Sequence, residues 1–314
     1  MRRFIRVLWL AISAPFRLIY WLYRKLIAGL QGISQGFHSF FLEEEEDTSL
    51  PDAFAKTVQN PAGLWVHLDA LRKHLFRSLI YMVITTSISF VFITPIMEFM
   101  ARPLEGGIAA LQAVDVTEPV GTVMRVTLLA GLTLAFPLIV FELWLFMAPG
   151  LKRTERFFTL LAMPFAYVFF LFGMAFAYYL MLPTALPVLL NFMGLQTLPR
   201  PNSYFPFVVN LLFWMGMSFE FPLVIFILAR IGMVKGRDLV NQWRMAIVII
   251  AVLAAAITTT TDPANMALVM LPMTFLYFIS IGLAYIGQKR RPAQQGFEDK
   301  THLDSEKLLP PGKT

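Results

Sequence analysis

The sequence predicts an all-α membrane protein that crosses the bilayer six times. Three observations carry this. Hydrophobic residues make up 57% of the 314-residue chain and charged residues only 15%, where soluble domains carry about 25% charged residues. The apolar residues gather into runs of roughly 15 to 26, the length over which a helix crosses a hydrocarbon core about 30 Å thick. Lysine and arginine concentrate in alternate connections between those runs, as expected when one set of loops stays in the cytoplasm.

The spans are expected at about 75–95, 124–147, 157–182, 204–229, 245–259 and 266–287. The fifth is short, the sixth only a little longer, and the link "TTTTDPANM" between them is brief. Such a pair suits a thinned bilayer or a re-entrant arrangement. Arg72, Lys73 and Arg77 flank the first span. Lys152, Arg153 and Arg156 follow the second, Arg230, Lys235, Arg237 and Arg244 follow the fourth, and Lys289, Arg290 and Arg291 follow the sixth. The other side offers Arg102, Arg125 and Arg200. Both termini are therefore expected on the cytoplasmic side.

Three regions are expected. Residues 1–62 form a basic amphipathic N-terminal extension and acidic linker, residues 63–288 the six-span domain, and residues 289–314 a disordered cytoplasmic tail. In the extension, Arg6, Arg17, Arg24 and Lys25 interrupt an aromatic-rich stretch. That pattern suits a helix lying on the inner leaflet, with an additional span as the alternative. The acidic run at 43–47 fits a solvated linker.

Composition also excludes chemistries. The chain has no cysteine, which removes disulfides, iron–sulfur clusters and thiol catalysis. His38, His67, His74 and His302 form no familiar metal spacing; His67 and His74, one heptad apart, read as two wet helix positions. There is no Gly-rich phosphate loop and no GxSxG. The net charge of +6 fits basic cytoplasmic loops and contact with anionic lipid rather than nucleic acid.

Several carboxylates stand out because a membrane makes them expensive. Glu220 lies in the middle of "NLLFWMGMSFEFPLVIFILARIG". A charged side chain near a helix centre costs about 2.5–3.5 kcal/mol on insertion scales. Glu220 therefore needs a neighbouring-helix partner, a wet cavity or a proton, and Pro222 frees backbone groups beside it. In "MAPGLKRTERF", Pro149-Gly150 stops the second span and Glu155 stands among Lys152, Arg153 and Arg156 at the inner surface. It is either an incidental member of a basic loop or an acceptor for a guanidinium, which a carboxylate can hold by two parallel bonds. Glu142 is expected at the inner interface, paired with a basic loop residue.

Four stretches, taken in order, resemble the TatC family, the multi-spanning core subunit of twin-arginine protein translocation. They are "HLDALRKHL" at 67–75, "FPLIVFELWLFMAPGLKRTERF" at 136–157, "GMSFEFPL" at 216–223 and "AAAITTTTDPANMALVMLPMTFLYFISI" at 254–281. The resemblance covers about 60–288. It implies a cupped six-helix bundle, no enzymatic activity and no bound cofactor. The implied function is that of a receptor and scaffold that binds twin-arginine signal peptides and exports folded proteins on the proton-motive force. It implies single-span TatA- and TatB-type partners, self-association, and residence in a bacterial inner membrane.

By the same resemblance, Glu155 is the signal-contacting glutamate, with Phe146 and Pro149 as its apolar neighbours. Asp69 and Arg72 come from the first motif. That motif ordinarily carries a second glutamate where this chain has Ala70; Asp69 lies one place earlier, about 100° round a helix. Glu220 is implied to face the concave side, and Pro103 and Asp262 to shape the outer loops. A proton- or cation-coupled secondary transporter using Glu220 is the alternative, although no convincing repeat relates the two halves.

Overall fold

The protein is described by a computed structural model covering residues 61–191, 198–258 and 263–289. The N-terminal extension, the C-terminal tail and Asp262 lie outside the described residues. The described part is helical, and five of its helices are long and apolar enough to cross a membrane, with a sixth, shorter apolar helix.

Helix α1 (Pro61–Val91) begins 14 residues before the expected first span. Its N-terminal half carries Asp69, Arg72, Lys73 and His74, so a single helix runs from the aqueous rim into the bilayer. It ends where Phe92 donates to the Ser89 carbonyl at 3.1 Å. A further helix, α2 (Ile93–Ala101), carries the direction on. Pro95 sits in the first turn of α2, where the missing N–H has no intrahelical partner to lose.

α3 (Glu118–Met147) follows, then one tight turn at Ala148–Gly150 and α4 (Arg153–Phe176). The backbone widens into a single π-turn at Ala177–Met181 before α5 (Leu182–Leu190). Pro183 cannot donate back to residue 179, which accounts for the change of hydrogen-bond pattern. The third crossing therefore extends over Glu155–Leu190, 36 residues, well past its expected end at 182.

α6 (Pro201–Ile231) opens on a proline at its first position, where a proline costs nothing. It closes at Gly232, whose φ of +92° places it in the left-handed region. Both Gly232 and Met233 donate to the Leu228 carbonyl, at 3.0 and 2.9 Å, satisfying the last turn. The short α7 (Gly236–Asn241) lies against α9: the Tyr277 hydroxyl donates to the Leu239 carbonyl at 2.7 Å. α8 (Trp243–Thr258) has 16 residues and spans about 24 Å, so the fifth crossing is short as expected. The sixth is longer than expected. α9 (Pro263–Lys289) has 27 residues, because it starts on a proline and runs on through Gln288 into the basic flank.

α6 is the central helix. Phe205, Val208, Leu211 and Met215 are buried in it, in one cluster with Val126 of α3 and Val269 of α9. α1 packs mainly on α3 and leaves Leu79, Val83 and Phe90 exposed, which in a membrane means facing lipid. Two crossings are tight enough to require glycine. A Cβ on Gly131 would lie 2.6 Å from the Thr86 Cα, and one on Gly173 would lie 2.6 Å from the Met215 carbonyl oxygen. Small residues that let backbones approach are the usual means of helix association in lipid.

Candidate functional site at the basic end of the bundle

One end of the bundle gathers the start of α1, the end of α3, the start of α4 and the end of α6. The turn between α3 and α4 is braced from several sides. The buried Arg156 side chain donates from Nε to the Ala148 carbonyl at 3.0 Å. Trp144 Nε1 donates to the Thr159 hydroxyl at 3.0 Å, and that hydroxyl donates to the Glu155 carbonyl at 2.9 Å. Leu151 is buried beneath the turn. The Arg230 guanidinium of α6 sits 3.8 Å from the centre of the Phe158 ring, a cation–π contact that ties α6 to the same end.

Glu155 stands in the first turn of α4. Its carboxylate accepts the Lys152 backbone N–H at 3.3 Å. A carboxylate at this position is favoured by the unpaired N–H groups and the dipole of the helix. Pro149 is exposed in the turn before it and Phe146 is half-buried one turn back on α3. Phe146 stacks on His67 of α1, ring centres 4.4 Å apart, and meets His74 edge-on at 6.3 Å. These contacts bring the "HLDALRKHL" segment beside the α3–α4 turn, joining two of the four quoted motifs.

Asp69 and Arg72 are exposed on α1. The Asp69 carboxylate pairs with Lys73 at 2.7 Å, one turn along the same helix. It is thus already neutralised locally, as an exposed i, i+4 pair usually is. Ala70 is half-buried.

Glu142 makes the strongest polar cluster at this end. Its side chain is only 4% exposed, and His74 Nδ1 lies 2.5 Å from one of its oxygens. The Tyr81 hydroxyl donates to the other at 3.1 Å, and Arg77 approaches to 3.9 Å. The partners come from α1, not from the basic loop expected from sequence. His74 is correspondingly no wet position but a half-buried clamp, and His67 is an exposed stacking residue. The signal was present: 67, 74 and 81 share a seven-residue spacing, so His67, His74 and Tyr81 fall on one helix face.

Glu220 lies on α6, nearly fully buried, beside the Phe170 backbone of α4. One turn earlier, Gly216 packs on the Phe170 ring. One Glu220 carboxyl oxygen has no hydrogen-bond partner among the described residues. Buried, unpaired polar atoms are rare. Pro103 is half-buried in the turn after α2, at the other end of the bundle. That end also holds a polar clasp that the sequence did not lead us to expect: buried Glu118, at the first position of α3, pairs with Arg200, just before α6. Among the described residues no three His, Asp or Glu side chains gather as a metal would require.

The comparisons with known proteins agree in direction. Residues 66–272 match the TatC family, described as Sec-independent protein translocase protein. A Deinococcus radiodurans protein named Sec-independent protein translocase protein TatC is 34% identical over 264 residues, covering 81% of this chain and 96% of that one. The Koribacter versatilis protein of the same name is 32% identical, covering 74% and 90%. Among solved structures, one titled as the twin-arginine translocase receptor TatC superposes with a TM-score of 0.64 at 29% identity. It covers 70% of this chain and 99% of that one.

Proposed function

We propose, starting from the fact that this chain belongs to the TatC family of multi-pass translocase components, that it is the signal-peptide receptor and scaffold of a twin-arginine translocase. The family is a component of a protein translocase, not a class of catalysts.

The basic end of the bundle is the cytoplasmic end, with both termini on that side of a bacterial inner membrane. The positive-inside rule supports this, since Arg72, Lys73, Arg77, Lys152, Arg156 and Arg230 all lie there. A twin-arginine signal brings its guanidinium groups to Glu155. Phe146, His67 and Pro149 supply the apolar and aromatic surface beside it, and Asp69 and Arg72 border the approach. The signal's apolar region then enters along the face containing Glu220. Single-span TatA- and TatB-type subunits, and a further copy of the chain, assemble around this scaffold. The proton-motive force drives export of the folded cargo. Residues 1–62 form a basic surface extension that contacts anionic lipid, and residues 289–314 a cytoplasmic tail, flanking the domain at 63–288.

One observation carries the docking site. Glu155 is held at a helix N-terminus by a braced turn, beside an aromatic pair that joins two separate motifs. Binding there needs no large rearrangement of the acceptor. A fluorescent twin-arginine signal peptide should bind the purified protein in detergent, and Glu155→Gln should weaken it about tenfold or more, since a hydrogen bond to a charged group contributes roughly 1.5–3 kcal/mol. A two-lysine peptide should bind the parent protein as weakly. Unchanged affinity in Glu155→Gln would remove Glu155 from the site.

A further inference from the structure

At the end opposite the docking site, a groove of about 280 Å³ is lined by Phe99, Arg102, Pro103, Tyr178, Tyr179 and Pro183. Its floor is fixed by two tyrosines that cap the last carbonyls of α2. The Tyr178 hydroxyl donates to the Phe99 carbonyl at 2.5 Å, and the Tyr204 hydroxyl to the Met100 carbonyl at 2.8 Å. Phe99 and Tyr178 stack with ring centres 4.5 Å apart, and Tyr179 stands perpendicular to Tyr178 at 4.9 Å. The π-turn at Ala177–Met181 contributes Tyr178 and Tyr179. Single π-turns of this kind gather at functional sites.

Arg102 lies at the lip, its guanidinium 5.5 Å from the Phe99 ring centre. It forms no ion pair among the described residues. Glu98 and Glu105, exposed on the same segment, do not reach it. The groove's level in the bilayer is set by helix rise. Tyr179 is 22 residues beyond Phe157, about 33 Å along α4 and the π-turn that continues it, which is one hydrocarbon thickness from the basic end. Aromatic side chains with an arginine at that depth match the headgroup region. Below Tyr179, which lines the groove at 69% exposed, Phe172 and Phe165 follow at seven-residue steps and are 59% and 55% exposed. They form an apolar track down one face of α4.

We propose that this groove binds one anionic phospholipid of the leaflet opposite the basic end, its phosphate on Arg102 and an acyl chain along Phe172. Three features favour this occupant over a peptide. The cavity is smaller than the roughly 300–1,000 Å³ of small-molecule sites, enough for a headgroup. One guanidinium balances one phosphodiester. The track continues into the depth where acyl chains lie, which a soluble ligand would leave empty.

The test uses the full chain, stripped of bound lipid in detergent and titrated with phosphatidylglycerol under native mass spectrometry. A single lipid adduct is expected, and inorganic phosphate should not compete for it. Arg102→Gln should weaken the adduct about tenfold, and Arg102→Lys should keep part of it, as a point charge without the planar fork. Arg125→Gln, which changes another arginine of the expected outer side, should leave it unchanged. In nanodiscs, phosphatidylglycerol with a photoreactive acyl chain should label α4 around Phe172. Equal adducts in Arg102→Gln and the parent, displacement by inorganic phosphate, or labelling confined to other helices would each overturn the proposal. Size-exclusion profiles matching the parent establish that each variant is folded.

Discussion

Gly173→Leu should leave almost no folded protein. α4 and α6 cross at Gly173 and Gly216 so closely that a Cβ on residue 173 would fall 2.6 Å from the Met215 carbonyl oxygen and 2.9 Å from the Gly216 Cα. Both obstructing atoms are backbone, so no rotamer change relieves the clash. The helices must separate, and α6 is the helix around which α3, α4, α8 and α9 pack. Overpacking a tight core costs about 1–3 kcal/mol when side chains can adjust, and more when backbones must move. In lipid there is little hydrophobic force to push the helices back together. The readout is the monodisperse fraction after detergent extraction, with its thermal midpoint. Gly282→Ala serves as the control, because nothing lies within 4 Å of a Cβ at that position. A Gly173→Leu protein with the parent's midpoint would mean the crossing is not as close as described.

Glu142→Ala should cost several kcal/mol and loosen the start of α1. The substitution strands His74 and the Tyr81 hydroxyl, which both bond to the same buried carboxylate. Leaving a buried hydrogen-bonding group without its partner typically costs about 1–3 kcal/mol, and here two groups lose the same acceptor. Glu142→Gln, which still accepts from Tyr81, should lose less. A double-mutant cycle of Glu142→Gln with His74→Asn, read by thermal unfolding in detergent, should give a coupling of about 0.5–3 kcal/mol. Strictly additive losses would show that the pair does not hold α1 to α3. Since His67 and Phe146 stack at the same seam, Glu142→Ala should also weaken signal-peptide binding even where the protein stays folded.

Much of this was legible in the sequence, and the reasons differ by feature. Helix number and placement are dictated by the bilayer, which demands long apolar runs with internally satisfied backbones. The spans at 124–147 and 204–229 fall inside α3 and α6 almost without adjustment. Helix ends were less legible. α1 and α9 continue into polar sequence at the aqueous rim, where hydropathy falls although helix geometry does not. The π-turn is invisible to periodicity and is announced only by Pro183. At the site, Glu155, Phe146 and Pro149 stood in one contiguous motif and kept their neighbourhood. His74 and Glu142 are 68 residues apart, and a pair at that separation has no local signature beyond the shared face of His67, His74 and Tyr81. The Glu118–Arg200 clasp, 82 residues apart, was missed for the same reason.

The docking role of the basic end is tested most directly by site-specific photocrosslinking. A photoreactive phenylalanine analogue placed at Phe146 or Pro149 should capture a twin-arginine signal peptide. The same probe at Pro103, at the far end of the bundle, should not. Replacing the two arginines by lysines, or Glu155 by glutamine, should remove the adducts at 146 and 149. Adducts of equal yield with the two-lysine peptide, or capture only at 103, would contradict recognition of the signal by the α3–α4 turn.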